Sequence, residues 1–323
     1  MDYVRMKGTG LMVSRVCLGA MTFGGQTEEA DAVRMVHYAM DQGVNFVDTA
    51  DSYTEGRSEV ITGKAIKGRR HEVILASKVC RDTVPGPNAG GLSRRHILYS
   101  VDETLKRLDT DFLDIYYCHF PDVHTPMEET MGVMTDLVRA GKVRYVGMSN
   151  HASWQIVDAL RACDKINGCA PVITENVCNI LTRGVESELV PCLRQHNMDM
   201  VVYNPLAGGL LTGKHKIDSY GDNTRFSINA GYRDRYWNET NFNAVEKIRA
   251  IAESAGMPMA ELALKWCKAQ DYITSVIIGA SKFGHLEQNL EALNGTGLSK
   301  DVLENLDQIW NNLPVGSRFT YNR

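Results

Sequence analysis

The sequence predicts an α/β protein, a (β/α)8 barrel of the TIM type with an N-terminal β-hairpin, a long loop late in the chain and a C-terminal helix plus tail. Two observations carry this. Apolar, β-branched runs alternate with amphipathic runs almost throughout, the pattern of βα units on a parallel sheet. The units also repeat at roughly 30 residues, the length of one βαβ step. Eight strand-like runs can be marked, at 16–19, 45–49, 73–78, 112–119, 143–149, 172–176, 198–204 and 275–279. Between them, EEADAVRMVHYAMDQG, SRRHILYSVDETLKRL and MEETMGVMTDLVRAGK place apolar residues three and four apart, as a helix with one buried face requires. A glycine often closes such a run, where the chain must leave the helix.

Three segments depart from the repeat. YVRMKGTGLMVSRV at the start reads as two short strands around a Gly-Thr-Gly turn, a hairpin placed to cover the barrel's bottom. Residues 215–242 are polar and aromatic without a sustained period, which for so long a loop points to a flap over a functional site. SKDVLENLDQIWNNL reads as a capped helix, and the tail PVGSRFTYNR is expected to reach back over a barrel face.

With 323 residues, 44% of them hydrophobic and 23% charged, the chain has ample core for one closed architecture, and residues 1–323 are read as a single domain. A net charge of -4 gives no electrostatic reason to bind nucleic acid. No charged-then-apolar leader opens the chain and no run approaches the length of a membrane span, so a cytoplasmic protein without a membrane partner is expected. Cys17, Cys80, Cys118, Cys163, Cys169, Cys178, Cys192 and Cys267 are scattered without metal-like spacing and are expected to be reduced, structural thiols.

Four residues stand out because titratable groups fall at or just past the ends of apolar strands: Asp48 and Tyr53 in NFVDTADSY, Lys78 in VILASK and His119 in DIYYCH. In a (β/α) barrel, catalytic groups come from the C-terminal ends of several strands. The types and order of the four residues resemble the tetrad of the aldo-keto reductase family. The carbonyl reduction which that resemblance implies needs an acid beside the nascent alkoxide, and a phenol of ordinary pKa ~10 gives up its proton reluctantly at neutral pH. A lysine within about 4–6 Å lowers such a pKa by ~1–3 units, and a carboxylate keeps that lysine charged and oriented. Lys78 and Asp48 suit those tasks, with His119 placed to donate a hydrogen bond to the carbonyl.

The resemblance to the aldo-keto reductase family runs through LGAMTFG, DTADSY, ASK, LDIYYCHFPD, VGMSN, YNPLAGGLLTGK and IIGASKFGHLEQN. The chain looks like the branches containing aflatoxin-aldehyde reductases and the β subunits of voltage-gated potassium channels. The β subunits typically carry asparagine where this chain has His119, so the full tetrad favours an enzyme acting on a small carbonyl or alcohol; the alternative is a cofactor-binding regulatory subunit. Nothing in the sequence sets the oligomeric state, and a homo-oligomer stays open.

The resemblance also implies a nicotinamide dinucleotide site. Gly19, Ala20 and Met21 follow the first barrel strand. Ser149 and Asn150 match residues that hydrogen-bond the nicotinamide carboxamide, and Tyr203 falls where an aromatic ring stacks on the nicotinamide. Asn204, Leu206 and Gly208 lie along the pyrophosphate, Lys214 is a further cofactor-binding position, and Gly279, Ser281, Lys282, His285, Gln288 and Asn289 match the adenosine side. With Arg225 on the long loop, Ser281 and Lys282 suggest the 2'-phosphate of NADP(H), with NAD(H) as the alternative. One position departs from the family: Glu175 stands where glutamine is usual. An ionised carboxylate there would only accept hydrogen bonds and would favour the cationic, oxidised nicotinamide, unless it turned away to a salt bridge.

Two motifs mislead. GGLLTGKH nearly spells a phosphate-binding loop, but His215 replaces the magnesium-binding hydroxyl; the early GTGLMV opens no helix. His119 and His124 flank a proline in a loop, which does not suit paired metal ligands.

Overall fold

The structure, a computed structural model, describes residues 1–222 and 224–314. The tail expected to fold back over a barrel face lies, from residue 315 on, outside the described residues.

Strands β1 (Tyr3–Arg5) and β2 (Met12–Ser14) form an antiparallel hairpin. The next eight strands are β3 (Val16–Gly19), β4 (Phe46–Asp48), β5 (Ile74–Val79), β6 (Leu113–Cys118), β7 (Val143–Ser149), β8 (Ile173–Val177), β9 (Asp199–Tyr203) and β10 (Ser275–Ile278). They pair in parallel in sequence order, and β10 returns to β3 to close the barrel. Each expected strand is present, its ends matching or differing by one residue.

Helices α1 (Glu29–Asp41), α2 (Arg57–Ile66), α3 (Arg94–Leu108), α4 (Met127–Arg139), α5 (Ser153–Ile166) and α6 (Leu189–Gln195) connect the strands from β3 to β9. The apolar faces read from the sequence are the buried ones: Met35, Val36, Ala39 and Met40 on α1, Ile97, Val101 and Leu108 on α3, Met131, Met134 and Leu137 on α4. Gly43 ends α1 with φ +88°, its amide and that of Val44 donating back to the Met40 and Ala39 carbonyls.

Residues 215–242 carry more order than their sequence pattern shows, folding into α7 (Arg225–Ile228), α8 (Ala230–Tyr236) and the start of α9 (Glu239–Ser254). The first two have four and seven residues, too short for a 3.6-residue period to register. Aromatic packing holds them instead: the Trp237 ring sits 4.8 Å from Phe226, 5.0 Å from Phe242 and 5.6 Å from His215. Helix α10 (Met259–Ala269) precedes β10, α11 (Phe283–Asn294) follows it, and α12 (Lys300–Asn311) starts at the expected cap, Ser299 accepting from the Val302 amide.

Side chains along each strand alternate between two apolar layers. Val16, Leu18, Val47, Leu75, Val146 and Val202 belong to the layer under the helices; Cys17, Phe46, Ala76, Ile115, Ile173, Val201 and Ile277 fill the barrel interior. Met6 and Val13 of the hairpin join that inner cluster and are fully buried, so the hairpin plugs the lower end as expected. Asp199 fixes it there by accepting from the Lys7 amide at 2.5 Å and from the Thr274 hydroxyl at 2.6 Å.

Candidate active site

Asp48, Lys78, Glu175 and Tyr203 each lie two residues beyond an inner-layer residue of the same strand (Phe46, Ala76, Ile173 and Val201), so strand alternation turns them all into the upper barrel interior. His119 follows β6 directly and its amide donates to the Val79 carbonyl at 2.9 Å. Tyr53 lies on the turn after β4. That turn is fixed by an unusual run: Thr54, Glu55 and Gly56 all have positive φ, at 48°, 60° and 83°. The two non-glycine residues there cost about 1–2 kcal/mol each. The Thr54 hydroxyl offsets part of this by donating to the Phe23 carbonyl at 2.7 Å and accepting from the Ser58 amide at 3.1 Å.

The structure brings the four marked residues together. Lys78, fully buried, donates to Asp48 Oδ2, to the Thr49 carbonyl at 2.9 Å and to the Tyr53 hydroxyl at 3.4 Å. The Tyr53 and His119 rings meet edge to face, centroids 5.9 Å apart. Glu175 Oε2 approaches Lys78 Nζ at 3.5 Å, so the departure from glutamine lands inside this cluster and faces the lysine.

Burial opposes the Lys78 charge, but Asp48, Glu175 and Tyr53 hold its pKa well above the ordinary lysine value. His119 is held well below its ordinary value, first by burial and then by Lys78 and Arg81, so its ring is neutral at physiological pH. Tyr53 departs from the expectation. Lys78 does pull its hydroxyl toward acidity, but burial is the larger effect and the net shift is upward, with Asp48 and Glu175 adding to it. The phenol therefore keeps its proton at neutral pH.

A cavity of about 1620 Å³ opens over this cluster and continues between the 205–235 region and the start of α11. Asp48, Tyr53, His119, Gly19, Met21, Ser149, Asn150, Glu175, Tyr203, Asn204, Leu206, Gly208, Lys214, Arg225, Gly279, Ser281, His285, Gln288 and Asn289 line it. Lys78 lies beneath the floor. Ala20 and Lys282 do not line it: Ala20 is buried with its carbonyl bound to the Ser58 hydroxyl, and Lys282 is the residue before α11.

Much of the wall is already braced. Asn150 Nδ2 donates to the His119 carbonyl at 3.0 Å, and its Oδ1 accepts from the Tyr203 hydroxyl at 2.7 Å. Asn204 accepts from the Gly208 amide at 2.6 Å and donates to Tyr236 at 2.8 Å. Both asparagines adopt positive φ just past strand ends, a conformation their type tolerates well.

Sequence reasoning missed Arg81, Phe120, Tyr232 and Arg235 on the same wall. Arg81 and Phe120 follow β5 and β6 closely, and that position was a usable signal. The Arg81 guanidinium lies 4.2 Å from the Phe120 ring centroid, and Phe120 stacks on His119 at 4.5 Å. Tyr232 and Arg235 sit in the aperiodic segment, which gave no such signal. No group of metal-ligating side chains is present among the described residues.

Titratable groups thus gather at the C-terminal ends of barrel strands under a large cavity, where barrel enzymes carry their sites. The Aldo/keto reductase family profile matches residues 15–311, and the chain belongs to that family. It is 34% identical to a probable voltage-gated potassium channel subunit beta of Arabidopsis thaliana, over 97% of this chain and 98% of that one. It is 34% identical to aflatoxin B1 aldehyde reductase member 2 of Mus musculus, over 91% and 84%, and 32% identical to L-glyceraldehyde 3-phosphate reductase of Escherichia coli, over 95% and 92%. The family and its reductase-named members make the chain an oxidoreductase of carbonyl compounds.

Proposed function

We propose that this protein interconverts a small aldehyde, ketone or sugar-like carbonyl compound and its alcohol by hydride transfer with NADP(H), Tyr53 serving as the general acid and base. The observation that carries the reading is the Tyr53 hydroxyl, at the cavity wall and 3.4 Å from the ammonium of a fully buried lysine. When bound, the dinucleotide supplies or takes the hydride. Tyr53 holds a proton ready for the alkoxide that forms in reduction; as that proton leaves, Lys78 stabilises the phenolate left behind. Asp48 and the Thr49 carbonyl keep the ammonium aimed at the phenol. His119, neutral and braced against Phe120, donates to the carbonyl oxygen and sets its angle.

The residues present fit the dinucleotide. The cavity exceeds the roughly 300–1,000 Å³ of a small-ligand pocket, and its far end carries Lys214 and Arg225, which form no ion pair with a carboxylate among the described residues. Beside them lie Ser281 and His285 at the N-terminal end of α11 and Gln288 and Asn289 at its middle, an arrangement suited to a phosphate-bearing adenosine. Tyr203 offers its ring to the nicotinamide, with Asn150 bound to its hydroxyl. All eight cysteines are free thiols, in keeping with a cytoplasmic enzyme.

The similarity to the Arabidopsis thaliana channel subunit supports a second reading, a dinucleotide-binding regulatory subunit. One experiment separates the two: protein and NADPH are mixed with a panel of small aldehydes, and dinucleotide absorbance and alcohol product are followed together. The enzyme reading predicts equal loss of NADPH and gain of alcohol. Tight NADPH binding with no turnover on any aldehyde supports the regulatory subunit, and failure to bind either dinucleotide overturns both.

A further inference from the structure

The charges converging beneath the Tyr53 hydroxyl do not cancel as ordinary ionised groups. Lys78 brings one ammonium, while Asp48 and Glu175, each with a side chain 4% exposed, bring two carboxyl groups. Lys78 Nζ donates to Asp48 Oδ2 and stands 3.5 Å from Glu175 Oε2. Asp48 and Glu175 also lie within hydrogen-bonding reach of each other. Yet Asp48 Oδ1 and Glu175 Oε2 accept no hydrogen bond from any donor among the described residues. Two buried carboxylates in contact repel strongly, and buried acceptors without a donor are costly. A single proton held between them removes both penalties.

We propose that Glu175 is present in the working site as the neutral acid, donating its proton to Asp48, and that this proton sets the balance between binding of the reduced and the oxidised dinucleotide. The second half rests on the dinucleotide reading above.

Among the described residues, the remaining titratable groups that face Glu175 are Tyr53, Tyr117 on β6, Cys17 on β3 and Tyr203 on β9. Burial pushes each of these above its ordinary value, so each is neutral and Lys78 is the cation that the carboxyl pair shares. Asp48 keeps the charge because it holds the direct bond to the ammonium. Burial, and then the neighbouring Asp48 charge, raise Glu175 to about 8. The proton is therefore in place at neutral pH and is lost as pH rises through that value. With it, Lys78, Asp48 and Glu175 sum to zero charge, and the Glu175 carboxyl both donates and accepts, as an amide does. Without it the cluster carries one net negative charge, which attracts a cationic oxidised nicotinamide and not the neutral reduced one. The ionised Glu175 expected from sequence is thus the alkaline form.

Infrared spectroscopy of the dinucleotide-free protein tests the proton itself. Wild type at neutral pH should show a protonated-carboxyl carbonyl band that moves on 13C-glutamate labelling, is missing in Glu175→Gln, and fades as pH is raised through about 8. A wild-type spectrum with no glutamate-derived band at neutral pH, or one unaffected by Glu175→Gln, overturns the proposal. Binding constants for NADP+ and NADPH across the same pH range test the consequence. In wild type the preference for NADP+ should grow with pH, by up to about tenfold per unit, and in Glu175→Gln it should stay flat. A flat wild-type ratio overturns the coupling. If neither dinucleotide binds, the proposed function fails, while the infrared result still decides where the proton sits.

Discussion

At the lower end of the barrel, Met6 and Val13 of the hairpin close over Cys17, Phe46, Ala76, Ile115, Ile173 and Val201, all apolar and buried. One inward step higher on the same strands, two residues along, stand Gly19, Asp48, Lys78, Tyr117, Glu175 and Tyr203. Backbone, pairing and alternation are the same in both layers. What differs is that the lower layer gains free energy by leaving water, at about 1.5–3 kcal/mol for each large apolar side chain fully buried. The upper layer gives some of that gain back to hold charge where a cavity opens above it. A barrel can thus place its stability and its chemistry in adjacent shells of one interior, separated by a single strand repeat.

The comparison can be broken by exchanging the character of the shells. Lys78→Met should have the largest effect, because it strikes both. It removes the buried cation that Asp48 and Glu175 share, which costs about 3–5 kcal/mol of stability, and aldehyde turnover per folded molecule should fall by about 10²–10⁴-fold. Denaturant unfolding and steady-state kinetics read the two losses separately. Phe46→Ala, two residues below Asp48, should cost about 3–5 kcal/mol in the same unfolding experiment while leaving turnover per folded molecule unchanged. A large fall in that turnover would show that the two layers are not separable.

His119→Asn sharpens the upper half of the comparison. It replaces the imidazole donor to the carbonyl with a shorter amide and leaves Lys78 and Asp48 in place, so kcat/KM should drop by about 10²-fold with NADPH affinity unchanged. The smallest effect concerns a carboxyl outside both shells. Asp51 is buried, accepts from the Ser100 hydroxyl at 3.1 Å and is raised to about 7 by burial and the neighbouring Glu59. A carboxyl whose folded value is raised contributes stability in full below the ordinary carboxylate pKa and loses it as pH rises through the folded value. Asp51→Asn should therefore raise Tm by about 2–4 °C in mildly alkaline buffer and change it little in acid. An equal shift at both would mean Asp51 is not the group that titrates.

The sequence disclosed the barrel well because its message is local: each strand is a short β-branched run, and each helix shows its own period. The positions of Asp48, Lys78 and His119 at strand ends were legible for the same reason, since one residue's distance from the end of an apolar run fixes its place on the rim. Two things were not. Helices α7 and α8 are held by rings from separate stretches, His215, Phe226, Trp237 and Phe242, and no period within four or seven residues reports such packing. The acidity of the site was also misjudged. A lysine beside Tyr53 suggested a more acidic phenol, but the depth of burial, which outweighs the lysine, exists only after the chain has closed. The meaning of Glu175 was hidden likewise, because its character depends on Asp48 and Lys78 meeting it across the barrel.

Tyr53→Phe tests the account most directly, since it deletes one hydroxyl and leaves Lys78, Asp48 and the cavity wall in place. The measurement pairs single-turnover oxidation of NADPH by an aldehyde with the binding constant for NADPH in the same variant. The account predicts a rate lowered by about 10³-fold or more with NADPH affinity within about twofold of wild type. A variant that reduces the aldehyde at the wild-type rate would contradict it.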